Sequence, residues 1–179
     1  MTQIDAAAPR GLATLLTPVR AALLVALAAL ATILGALFIE HVLGVKPCEL
    51  CLKQRIPYYS GIPLAAVAAF AAARAPRSGA TVALLALVGL VFAAGAALGA
   101  YHAGVEWGLW AGPSDCTGAI AKPAAMGDFL RQLETVKVVR CDEVAMRIFG
   151  LSLAAWNAVI ATGLAAVAFM GAARAARAA

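Results

Sequence analysis

The sequence predicts an all-α membrane protein, a bundle of four transmembrane helices joined by two outward loops. Two observations carry this. Of 179 residues, 64% are hydrophobic and 13% charged, against about 45–50% apolar and about 25% charged in soluble domains. Four uncharged runs, Ala21–Ile39, Pro57–Ala73, Ala80–Tyr101 and Ile148–Ala173, are 19, 17, 22 and 26 residues long. About 17–25 helical residues cross a hydrocarbon core. Lipid offers no partners for backbone N–H and C=O groups, and none of the runs alternates as a barrel strand does, so each is read as a helix. The length suits one four-span domain over residues 1–179, with spans at about 21–39, 57–73, 80–101 and 148–170 and loops at 40–56 and 103–147. The net charge of +5 does not signal nucleic acid, because the basic residues lie between apolar runs rather than on one face.

The first run follows basic residues, as a secretory leader does, but it exceeds the roughly 7–15 residues of a leader's apolar segment and is read as a retained span. Gly95 and Gly99 in the third run have the spacing that lets helix backbones approach closely. Orientation comes from Lys and Arg near span ends. Arg10, Arg20, Arg74, Arg77, Arg174 and Arg177 share one side with only Asp5 opposing them. The other side balances its basic and acidic residues. Both termini are therefore expected in the cytoplasm of a multi-pass inner-membrane protein, with both large loops outside.

The outer loops carry the chemistry. Pro47, Cys48, Glu49, Leu50, Cys51, Leu52, Lys53, Gln54 and Arg55 directly precede the second span. In the second loop, Met126, Phe129, Leu130, Leu133 and Val136 recur at helical spacing between Cys116 and Cys141, which predicts a short amphipathic helix on the membrane surface or on the bundle. Trp107, Trp110, Tyr58, Tyr59 and Tyr101 suit an interfacial aromatic belt, and Glu106 and Asp115 read as solvated loop charges.

All four cysteines fall on the outward side, where thiols can oxidise and stay oxidised. Three pairings are arithmetically open. The CxxC pair is close enough to bond to itself, which leaves Cys116 with Cys141. A staple explains the latter, worth about 3 kcal/mol by the chain-entropy model, but not CxxC, a common redox arrangement. Zinc is disfavoured because the second close cysteine pair of a zinc ribbon is missing, and covalent haem because Leu52 stands where CxxCH needs His. Pro47 predicts a helix start that would favour thiolate at Cys48 and Cys51, and on a continuous helix Arg55 shares a face with Cys51, unless Pro57 disturbs it.

The order of span, CxxC with Arg four residues on, two spans, a long loop with two single cysteines and a last span resembles the disulfide bond formation protein B (DsbB) family. The pieces that carry the resemblance are Pro47-Cys48-Glu49-Leu50-Cys51 with Gln54-Arg55, Tyr101 to Trp107, Gly112-Pro113 before Cys116, and Arg140-Cys141-Asp142-Glu143. The resemblance implies a protein-disulfide:quinone oxidoreductase that reoxidises a DsbA-like thioredoxin-fold protein of the periplasm and passes electrons to ubiquinone or menaquinone. It implies that a substrate thiolate attacks Cys116 and frees Cys141, that Cys141 attacks Cys48, and that the released Cys51 faces the quinone with Arg55 and His102 beside it. No metal is expected. A vitamin K epoxide reductase-like enzyme would place the loop cysteines before CxxC, and a non-enzymatic scaffold would use both disulfides as staples.

Overall fold

A computed structural model describes residues 16–113 and 140–177, and within them the expected four membrane-crossing helices are present. Cys116 and the expected surface helix lie outside the described residues. Helix α1 spans Pro18–His41, a single turn α2 spans Glu49–Lys53, α3 spans Ile56–Arg74, α4 spans Gly79–Glu106 and α5 spans Leu153–Arg177. Each end has a local cause. Thr17 caps α1 by accepting from the Arg20 N–H at 3.3 Å, with Pro18 in the first turn where its missing N–H is harmless. Ser78 does the same for α4 toward Thr81 at 3.2 Å.

Two boundaries differ from the uncharged runs by five residues. The last helix begins at Leu153, five residues after Ile148, because Arg147–Ile148 and Leu151–Ser152 pair as a two-stranded hairpin. Its turn is Phe149-Gly150, both at positive φ, and Ser152 Oγ then accepts from the Ala155 N–H at 3.2 Å. The third span runs on to Glu106. Beyond it Trp110 stacks on Tyr101 at 6.0 Å and covers Gly104, whose missing side chain leaves the indole room.

Helix α1 packs on α3 and α5, α4 packs on the same two, and α1 and α4 barely meet, so the helices form a ring in the order α1, α3, α4, α5. Its interior is built from Val25, Leu85, Val88 and Phe92 among many alanines. Leu23, Leu27, Leu34, Phe38, Val67, Phe70 and Leu90 are exposed, as a lipid-facing surface requires. Lipid tails are as apolar as Leu, so close approach rather than the hydrophobic effect holds such helices together. A Cβ on Gly99 would lie 2.8 Å from the backbone N of Ala158, and one on Gly61 would lie 2.7 Å from the Phe92 ring.

Candidate redox site

The chain cannot pass helically from the CxxC segment into α3. Pro57 has no N–H for the carbonyl of Lys53, so α2 ends at Lys53, Gln54 and Arg55 form a turn, and α3 restarts at Ile56 with Pro57 in its first turn. The continuous helix expected to align Cys51 with Arg55 is thus broken. Arg55 Nη1 instead bonds Glu40 Oε2 at 2.5 Å, reaching back to the last turn of α1. Pro47 precedes the first turn rather than occupying it, because Cys48 is itself the N-cap of α2.

That cap governs the thiols. Cys48 and Cys51 are free, with sulfurs 2.9 Å apart, and Cys48 Sγ also accepts from the Cys51 N–H at 3.3 Å. The Cys51 thiol donating to its sulfur holds the Cys48 pKa well below the ordinary thiol value. Burial opposes this, and a contact from His102 adds to it. Cys48 is buried and Cys51 partly so.

Cys141 is disulfide-bonded and 1% exposed, and it packs with Cys48 and Leu50 in one cluster. His102, near the end of α4, stands where these parts meet. Its Nε2 lies 3.7 Å from Cys48 Sγ and 3.2 Å from the Cys141 carbonyl oxygen. The carbonyl only accepts, so Nε2 carries the hydrogen.

Two hollows adjoin the thiols. A cavity of about 340 Å³ opens between α1, α3 and α5, walled mainly by apolar side chains such as Ile33, Ile39 and Ile160, with Cys51, Gln54, Arg55, Tyr58 and Asn157 as polar groups. A small recess is lined by Cys48, Cys51, His102, Glu106, Arg140 and Glu143. Cys51 borders both, Cys48 only the recess. His102, expected beside Arg55, lies in the recess. Glu106, expected as a solvated charge, ends α4 with Oε2 buried and without a hydrogen-bond partner among the described residues.

The sequence reading gives no site role to Glu40, Gln54, Tyr58 or Asn157, although Gln54 follows the CxxC pair and Tyr58 suits the aromatic belt. Asn157 offered a signal, being the chain's single asparagine inside an apolar run, since polar residues within a span mark functional sites by default.

Residues 18–171 match the family model for disulfide bond formation protein DsbB. No curated protein and no solved structure matches the chain. With four membrane-crossing helices and a thiol pair set against a buried third cysteine, the chain belongs to the DsbB family and is a membrane oxidoreductase of disulfide bond formation.

Proposed function

We propose that this protein oxidises a DsbA-like thioredoxin-fold partner and delivers the electrons to a membrane quinone. The observation that carries the reading is the position of Cys51. Among the described residues it is the cysteine that borders the apolar cavity, while its neighbour Cys48 packs against Cys141. Thiol exchange moves electrons only through contact of sulfurs, and a water-soluble donor and a lipid-soluble acceptor need two such pairs in series.

In this reading the chain is one four-span unit with cytoplasmic termini and its cysteines on the periplasmic side. The partner's thiolate attacks Cys116 of the Cys116–Cys141 bond, joining partner and Cys116 and releasing Cys141 as thiolate. Cys141 attacks Cys48 of the Cys48–Cys51 bond. A new sulfur–sulfur bond joins Cys141 to Cys48, and the electron pair leaves on Cys51. The partner's second thiolate attacks the partner sulfur of the partner–Cys116 bond, the partner departs with its own disulfide closed, and that electron pair leaves on Cys116.

The cavity fits a quinone ring. Its volume lies within the range of about 300–1,000 Å³ usual for small-molecule sites, its wall is apolar, and Arg55 supplies a donor at its edge. When bound, a quinone supplies an acceptor for two electrons and two protons. The chain's part is to hold Cys51 at the wall, aim Arg55 and keep the thiols from bulk water.

The test is quinone-coupled oxidation of a reduced thioredoxin-fold partner by purified protein. Turnover should require both cysteine pairs and quinone. Absence of turnover with both ubiquinone and menaquinone, and thiol trapping in which both bonds stay oxidised without quinone, would overturn the reading in favour of a stapled scaffold.

A further inference from the structure

Three polar side chains cross the apolar bundle beside the site, and the steps above give them no task. Tyr58 on α3 donates its hydroxyl to Asn157 Oδ1 at 2.7 Å, and Asn157 on α5 donates Nδ2–H to Gln54 Oε1 at 2.6 Å. Gln54 Nε2 meets His102 Nδ1 at 2.5 Å. Gln54 is 5% exposed, Tyr58 2% and His102 1%. Buried polar groups need partners, and here each partner fixes the sense of the next bond.

The sense can be derived from the far end. The Cys141 carbonyl accepts and cannot donate, so His102 carries its hydrogen on Nε2. In the neutral ring Nδ1 is then an acceptor, and Gln54 must turn its NH2 toward it. That leaves Gln54 Oε1 to accept from Asn157 NH2, and Asn157 Oδ1 to accept from the Tyr58 hydroxyl. All four bonds run one way, from the cavity wall to the Cys141 carbonyl, beside which Cys48 Sγ lies.

We propose that Tyr58, Asn157 and Gln54 are positioning residues that hold His102 in the Nε2–H tautomer, with that hydrogen shared between the Cys141 carbonyl at 3.2 Å and Cys48 Sγ at 3.7 Å. The proposal rests on the relay reading and adds a step to it. When Cys116 attacks Cys141 in the Cys48–Cys141 bond, the Cys116–Cys141 bond forms, the Cys48–Cys141 bond breaks, and the electron pair leaves on Cys48. The Nε2–H and the Cys51 N–H are the donors that meet that new thiolate. His102 thereby makes Cys48 a better leaving group, and without Gln54 the ring is free to rotate or to move its hydrogen to Nδ1.

The test uses the full chain, reduced and in lipid nanodiscs, with nitrogen-15 histidine. There are two histidines, so a His41→Gln control assigns both. In the wild type, His102 should show a protonated Nε2 and a bare Nδ1. Gln54→Met should give mixed tautomers and slow the resolution of a preformed Cys48–Cys141 bond about tenfold. Gln54→Glu keeps the shape but offers Nδ1 an acceptor, so Nδ1 should gain a hydrogen. A wild-type ring protonated on Nδ1 alone, or a Gln54→Met protein with wild-type tautomer and wild-type resolution rate, would overturn the proposal. Because the tautomer is read without turnover, an inactive wild type with the expected spectrum would sink the relay reading and leave the hydrogen-bond assignment standing.

Discussion

Arg55 Nη1 and Glu40 Oε2 are 2.5 Å apart, so the cation at the edge of the apolar cavity is held by the last turn of α1 rather than by its own helix. Glu40 sits where the α1 dipole disfavours a carboxylate, and the pair is only slightly exposed on the Arg side. A partly buried ion pair of this kind fixes direction more than it adds stability. Glu40 therefore sets where the guanidinium points.

Arg55→Met should raise the apparent KM for quinone by roughly tenfold to a hundredfold, as expected for a charge-assisted hydrogen bond of about 1.5–3 kcal/mol. Arg55→Lys should rescue only in part, because an ammonium keeps charge without the planar set of donors. Glu40→Gln should move the same constant in the same direction by less. Steady-state kinetics over a quinone series checks all three, and unaltered quinone kinetics in Arg55→Met would reduce Arg55 to a structural tie.

Cys48 leads to a pH prediction. Its folded pKa is lowered, chiefly by the Cys51 thiol, so it is thiolate over a pH range in which an unfolded thiol, of pKa about 8.5, is still protonated. The unfolded state then binds more protons, and the stability of the reduced protein rises with pH. The gain is fully present above the unfolded value and is lost as pH falls toward the folded one. Thiolate absorbance of the reduced protein should persist at neutral pH, and Cys51→Ala should shift its midpoint upward. A Cys48 that titrates as an ordinary thiol in the intact pair would contradict the hydrogen bonding described here.

The same stabilisation bears on redox poise. A disulfide whose reduced form is stabilised is a stronger oxidant. His102→Ala removes one donor from Cys48, and the potential of the Cys48–Cys51 pair should fall by about 30 mV for each tenfold loss in the equilibrium constant. Equilibration with a thiol buffer of known potential measures it, and an unchanged potential would mean that His102 does not touch the thiolate in solution.

The spans were legible because lipid forces backbone groups to pair within a segment, so apolar length alone reveals a helix. Their ends were less so. Nothing in the charge pattern marks Leu153 as the start of α5, since the signal is the Phe149-Gly150 turn, which a charge-free run conceals. Cys48 and Cys51 were legible by spacing. The link from Asn157 to Gln54 was not, because the two are 103 positions apart and meet only once α5 closes the bundle. The sequence makes the Cys51–Arg55 alignment conditional on Pro57, which acts on the residues before it and ends α2 at Lys53.

Packing gives a contrast between two glycines on spans. A Cβ at Gly99 would lie 2.8 Å from a backbone nitrogen of α5, which cannot move without the helix, whereas one at Gly35 meets nothing within 4 Å. Gly99→Ala should therefore cost about 1–3 kcal/mol through overpacking, and Gly35→Ala should be neutral or slightly stabilising through helix propensity. Thermal unfolding in detergent compares them directly, and equal midpoints would show that the α4–α5 contact is looser than described.

The order of the relay yields the last prediction. If Cys116 meets the partner and Cys141 resolves, removing Cys141 leaves an adduct on Cys116 with no neighbour to displace it. The experiment uses reduced protein and a thioredoxin-fold partner bearing one cysteine activated as an aromatic mixed disulfide. Cys116 thiolate attacks the partner sulfur, the partner–Cys116 bond forms, and the aromatic thiolate departs with its colour. In the wild type, Cys141 then attacks Cys116, the partner leaves as thiol, and no adduct persists on a non-reducing gel. In Cys141→Ala the adduct should persist for the length of the assay, and mass mapping should place it on Cys116. The burial of Cys141, 1% exposed against Cys48, is why the partner should not reach Cys141 first. An adduct mapped to Cys48 would reverse the order, because the partner would then enter at the membrane-edge pair and the loop cysteines would lose their place in the relay.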